Sequence, residues 1–185
     1  MTHKTPSQIV FTLLIFIVVI GCQEVKKPIN IQTESFSIYA SKDTFLSKEN
    51  AYQQIAYIDK VITLEQSKTV FEKLTIIADT LSNRYFNGLS IELTDNFPDG
   101  KGGSIVKVNL VERPEFKGPG SLPSYQSWYD FFQGTMGGTN TTIILKESLL
   151  QREYKGQWIN GLVFYYQGKP IGEFDHIDLY GIIKR

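Results

Sequence analysis

Cysteine is almost absent from this chain of 185 residues, with Cys22 the only one. One cysteine cannot close an internal disulfide, so the core has to hold by packing alone. Histidine is nearly as scarce, with His3 and His176 the only two. A zinc site would therefore need carboxylates to complete it, an uncommon composition. An excess of either charge is also missing: 19 Lys and Arg balance 19 Asp and Glu, and no basic run exceeds Lys26-Lys27. Nucleic-acid binding then lacks its electrostatic driving term. No G-x-S-x-G elbow occurs, which excludes that common serine-nucleophile signature.

What is present starts with an address. His3 and Lys4 precede an apolar run from Ile9 to Ile20, and Val19-Ile20-Gly21-Cys22 ends it. A dozen residues is short for a helix that spans a bilayer and fits a secretory h-region; the alternative is an N-terminal transmembrane anchor. Small and branched residues ending in cysteine resemble the lipobox of bacterial lipoproteins, in which that cysteine carries the lipid. The resemblance implies a signal peptide over 1–21, removed with Lys4, and a membrane anchor through an acyl chain such as palmitate on Cys22. The mature chain would then be one unit negative. Residues 22–34 are polar, contain Pro28 and read as a tether. Residues 35–185 have the size of one domain.

Within that domain the apolar pattern changes period twice. Phe36, Ile38 and Ala40 alternate with polar residues as in a half-buried strand, and the branched and aromatic stretch 55–62 predicts a second strand. Val70, Leu74, Ile77 and Leu81, widened by Phe71 and Ala78, predict an amphipathic helix over 64–84 capped by Thr63 and Gln66, with Asn87-Gly88 turning the chain out of it. Strands follow at 89–93 and 104–111, joined by a loop whose Pro98-Asp99-Gly100 is turn chemistry. A long Pro/Gly loop occupies 112–124. After it come a short helix over 124–132, a second helix over 141–154 capped by Thr139 or Asn140, an interior strand over 157–166, a turn at Gln167-Gly168 and a last strand over 171–183. The fold class expected is α/β in the α+β sense: a small mixed sheet with two main helices on one face, in two layers.

Four stretches invite chemistry. Gly134, Gly137 and Gly138 precede an apolar run, but Thr139 and Asn140 stand where a Walker loop needs lysine and a hydroxyl residue, and the spacing is wrong for a dinucleotide fingerprint. These glycines read as a break between helical pieces, supplying positive dihedrals or close backbone approach. Asp95, Asp99 and Gly100 fall at the first, fifth and sixth places of a calcium loop, yet Phe97 and Val106 sit where oxygen ligands belong. Asp175, His176 and Asp178 are a candidate polar site, with His176 and Asp178 on one face if the segment is a strand. Trp128, Tyr129, Phe131 and Phe132 are a candidate binding surface, able to stack on a sugar or anchor a protein if exposed. No metal or other cofactor is expected.

The order of elements is itself informative. The strand with Ile38-Tyr39, a second strand, the long helix, strands ending in Val108-Asn109-Leu110, the helix with Thr142 and Leu145, the strand Gly161-Leu162-Val163-Phe164 and the turn Gly168-Lys169-Pro170 together resemble the sporulation and spore germination (GerMN) domain. The resemblance covers most of residues 35–172. It implies a lipid-anchored, extracytoplasmic domain of the bacterial cell envelope, related to ring-building modules that act by assembly, with no catalytic residues to carry over. The loop 112–124, the aromatic segment before Gly134 and the C-terminal strand depart from the family pattern. The leading expectation is a non-enzymatic envelope lipoprotein that associates with itself or with another envelope protein. A glycan-binding module and a hydrolase with an unrecognised site are the alternatives.

Overall fold

Residues 33–46 and 51–65 are rich in alternating, branched and aromatic side chains. The computed structural model, which describes residues 31–48, 50–98, 103–172 and 174–185 and leaves aside the side chains of 95–97, shows them as two long strands. These are β1 (Thr33–Leu46) and β2 (Ala51–Glu65). They pair antiparallel from Thr33↔Glu65 to Leu46↔Ala51, with one irregularity at Ile38/Tyr39 that leaves Asp59 as the extra residue. Ile62 and Leu64 are partly buried while Val61, Thr63 and Glu65 are exposed, so the strand alternation continues past the expected helix start at Leu64.

Helix α1 spans Val70–Tyr85, six residues later than the sequence pattern placed it. Its cap is Thr69 rather than Thr63: Thr69 Oγ1 accepts from Glu72 N at 3.2 Å, and Thr69 N donates to Glu72 Oε2 at 2.7 Å. This reciprocal capping box outcompetes the Thr63/Gln66 pair because β2 already uses the backbone there. The expected stripe is the buried one, with Leu74, Ile77, Ala78 and Leu81 almost fully covered. Asn87 (φ 50°) and Gly88 (φ 74°) end the helix in the left-handed region, as turn chemistry requires.

The second sheet is mixed. Strands β3 (Ser90–Pro98) and β4 (Ser104–Val111) pair antiparallel, and β4 pairs in parallel with β5 (Gly161–Tyr166). Short strands β6 (Lys169–Pro170) and β7 (Ile182–Lys184) both pair antiparallel with β5. The parallel β4/β5 pair needs a long crossover, and residues 112–160 supply it with helices α2 (Trp128–Phe132) and α3 (Thr135–Leu150). The fold is thus a small α+β domain in which the strands divide between two sheets, and both sheets share one core with all three helices.

Two segments differ from the sequence pattern. Helix α3 begins at Thr135 after Gly134 (φ 71°) and runs through Gly137 and Gly138, so Gly134 alone is the break. No strand forms over most of 171–183. Ile171, Ile177 and Leu179 are buried there all the same, because backbone N–H groups find other partners: Ile171 N donates to Phe164 O at 3.1 Å and Asp178 N to Thr142 Oγ1 at 3.1 Å. Satisfying these backbone groups through the β5 main chain and an α3 side chain removes the need for a continuous ladder.

Candidate functional site

The β1/β2 arm has two edges, and the sequence treats them differently. Along the middle of β1, three outward backbone groups are met by α3 and its C-cap. Ser37 N donates to Gln151 Oε1 at 3.0 Å, Gln151 Nε2 donates to Ser37 O at 2.6 Å, and Tyr39 N donates to Ser148 Oγ at 2.9 Å. Farther along, Ser41 Oγ donates to Asn140 Oδ1 at 2.6 Å. Gln151 and Ser148 are buried, and Gln151 closes α3 in the left-handed conformation (φ 46°) that aims its amide at the strand. This edge is closed by a helix that imitates a neighbouring strand.

Among the described residues, β2 pairs with no strand other than β1. It contains no proline, and most of its 15 residues are exposed. Ile58 and Val61 are 53% and 55% exposed, and Phe45 and Tyr52 stack against each other near the turn with ring centroids 5.2 Å apart. An unpaired edge beside exposed branched and aromatic side chains is a template for strand addition.

The base of the arm is fixed by charge. Asp59, the bulged residue, accepts from Tyr85 Oη at 2.6 Å and from Arg84 Nε at 2.6 Å at the end of α1. These two bonds, Tyr85 first and Arg84 second, hold the Asp59 carboxyl below its usual range. Burial, with Asp59 second, pushes the Tyr85 phenol up to about 12. Because Asp59 is more acidic folded than unfolded, its contribution to stability is fully present above its ordinary value of 3.8 and is lost as the pH falls through the lowered value. Asp59→Asn should flatten the acid limb of a stability–pH curve in that window, measured by urea unfolding at stepped pH. An acid limb identical to that of the parent would refute the assignment.

The aromatic stretch is not a surface. Trp128 is 0% and Phe132 1% exposed, Tyr129 and Phe131 are half-buried, and Trp128 packs on Phe86 with ring centroids 4.7 Å apart. Burial follows from Glu112 at the end of β4, whose carboxylate accepts from Trp128 N at 2.8 Å, Tyr129 N at 3.0 Å and Tyr166 Oη at 2.8 Å. Glu112 thereby pins the first turn of α2 to the sheet and turns its rings inward. Trp128 is not available for stacking on a sugar. Tyr52, Tyr125, Tyr180 and Phe45 are instead the more exposed aromatics among the described residues, and none of them belonged to the expected binding surface.

Asp175, His176 and Asp178 lie on a turn and a coil rather than a strand, so the shared face expected for His176 and Asp178 does not form. Asp178 pairs with Lys146 at 2.7 Å, His176 Nδ1 lies 3.4 Å from Thr135 Oγ1, and Asp175 is exposed. Among the described residues no group of three His, Cys, Asp or Glu side chains could hold a metal. At the calcium-like spacing, Asp95 belongs to β3 and Val106 is a fully buried core residue of β4; Asp99 and Gly100 lie outside the described residues. Gly134 gives α3 no side-chain cap, and Lys146, the first lysine after it, is committed to Asp178. Gly138 makes the close approach: a Cβ there would sit 2.3 Å from His176 O.

Cys22 and the expected signal peptide over 1–21 lie outside the described residues. Among those described, no helix is long and apolar enough to cross a membrane. The open edge was readable in part, since the stretch 55–62 carries branched and aromatic residues on both faces of a strand. No protein-family model, curated protein or solved structure matches the chain.

Proposed function

We propose that this chain is a lipid-anchored protein of the bacterial cell envelope whose α+β domain, GerMN-like in its order of elements, works by association rather than catalysis. Strand β2 is the surface that receives the partner, another envelope protein or a second copy. The single observation that carries this reading is the asymmetry of the arm: α3 side chains satisfy the β1 edge, while β2 keeps an unpaired edge flanked by exposed Ile58 and Val61. Exposed apolar edges promote aggregation, and natural domains usually blunt them. Here the bulge at Asp59 and the neighbouring Lys60 interrupt the edge without covering it.

The test is crosslinking of the full-length, lipidated protein in its own cells, with identification of captured species by mass spectrometry. Ile58→Lys and Val61→Lys replace exposed side chains and should leave the fold intact. Together they are expected to reduce a recurrent captured species at least tenfold. Capture that is unchanged by both substitutions would overturn the assignment of β2.

A further inference from the structure

A second feature does not depend on the arm. Where the C-terminal end of α3 meets the final strand, a cleft of about 820 Å³ carries Arg152, Lys155, Lys184 and Arg185, and no acidic side chain lines it among the described residues. In a chain whose charges balance overall, four cations around one cleft are a concentrated charge.

Two of the four are held in place. Arg185 Nη2 donates to Gln151 O at 2.9 Å and to Tyr154 O, both main-chain carbonyls just past α3. Carbonyls fix a guanidinium without neutralising it, so Arg185 keeps its full charge at a fixed point. Arg152 pairs with Glu147 and also donates to Lys184 O at 3.3 Å, which binds the end of β7 to the same place. Lys155 and Lys184 are exposed, and among the described residues neither forms an ion pair. Among the described residues Glu147 is the one acidic side chain in contact with this set, so cationic side chains outnumber acidic ones at the cleft. The rest of the lining is mixed, Tyr154 and Asn160 with Pro98, Ile105, Ile159 and Ile182, and of its aliphatic members Pro98 and Ile182 are exposed.

We infer that this cleft binds a small soluble phosphate monoester, its doubly charged head among Lys155, Lys184 and Arg185 and its apolar body against Ile182 and Pro98. A doubly charged oxyanion matches several converging cations better than a single carboxylate does, and fixed guanidinium N–H groups suit its oxygens. Exposed Ile182 and Pro98 favour an ester over free phosphate, because an apolar substituent removes its own surface and theirs from water.

Calorimetric titration of the full chain in detergent with phenyl phosphate should give saturable binding, tighter than that of inorganic phosphate by about fivefold. Raising the salt should weaken it. The double variant Lys155→Glu/Lys184→Glu should lose at least tenfold in affinity, while Lys169→Glu, on the short strand β6, should change it less than twofold. Thermal unfolding of each variant checks that the fold is kept, and Lys155→Gln, a milder change at an exposed position, should lose about threefold. Absence of saturable binding, equal affinity for phosphate and its phenyl ester, or affinity undiminished by the charge reversal would each overturn the inference. Binding confined to vesicles containing phosphatidic acid, with none to phenyl phosphate, would overturn it in favour of a lipid headgroup.

Discussion

Glu112→Ala is expected to destabilise the domain by about 3 kcal/mol, the largest loss from any single side-chain truncation considered. Glu112 is 5% exposed and its carboxylate accepts three hydrogen bonds, from the backbone of Trp128 and Tyr129 and from the Tyr166 hydroxyl. Alanine would leave the buried Trp128 N–H and the partly buried Tyr129 N–H and Tyr166 hydroxyl without their acceptor and would open a void beneath α2. Burial, and the bond to Glu112 second, push the Tyr166 phenol well above its usual range, so it remains a donor at neutral pH. Glu112→Gln keeps one acceptor oxygen and the shape, and should cost about half as much. For a domain of this size the alanine variant should melt roughly 6–12 °C lower. Because α2 carries Trp128, the same variant should lose part of the near-ultraviolet dichroism of that ring. A melting temperature within 2 °C of the parent, on the order of 1 kcal/mol or less, would refute the role given to Glu112.

Adjacent glycines are expected to respond with opposite signs. Gly138→Ala should destabilise by about 2 kcal/mol, whereas Gly137→Ala should stabilise by up to about 1 kcal/mol. Both positions lie inside α3, where alanine is the better helix former by roughly that amount. At Gly137 the nearest atom to a new Cβ is Phe131 O at 3.9 Å, an ordinary contact. At Gly138 the new atom would stand 2.3 Å from His176 O and 2.6 Å from its carbonyl carbon. Main-chain atoms cannot swing aside as a flexible side chain does, so the 175–178 segment would have to lift off the helix. Lifting it would also strain the Asp178 N to Thr142 Oγ1 bond and the Lys146–Asp178 pair. Urea unfolding of the two single variants decides the matter. Equal shifts of the same sign would show that close packing against His176 does not govern Gly138.

These results bear on how far residue patterns reach. The stripe Leu74, Ile77, Ala78, Leu81, the turn at Asn87-Gly88, the alternating strands at 90–93 and 104–111 and the positive dihedral at Gly134 were legible because each depends on period or turn chemistry within a few residues. The start of α1 was misplaced because two capping boxes were available, and only pairing with β1 shows that residues 62–65 are already used as strand. The start of α3 was misplaced because helix propensity counts Gly137 and Gly138 against a helix, while the contact of Gly138 with His176 favours it. Trp128 and Phe132 looked like a binding surface because aromatic spacing on a short helix does not say which way the helix is rolled. Glu112, far from them in the sequence, sets that roll.

The sequence by itself determined most of the helices and strands, their order, the α+β class and the balance of charge, since these follow from local period and composition. Only the tertiary structure decided that the strands divide between two sheets, that α3 closes the β1 edge and leaves β2 open, and that cations from residues 152–155 and 184–185 share one cleft. Each of these depends on contacts between residues tens of positions apart, where burial and hydrogen-bond satisfaction of the whole chain, rather than the preference of any segment, set the outcome.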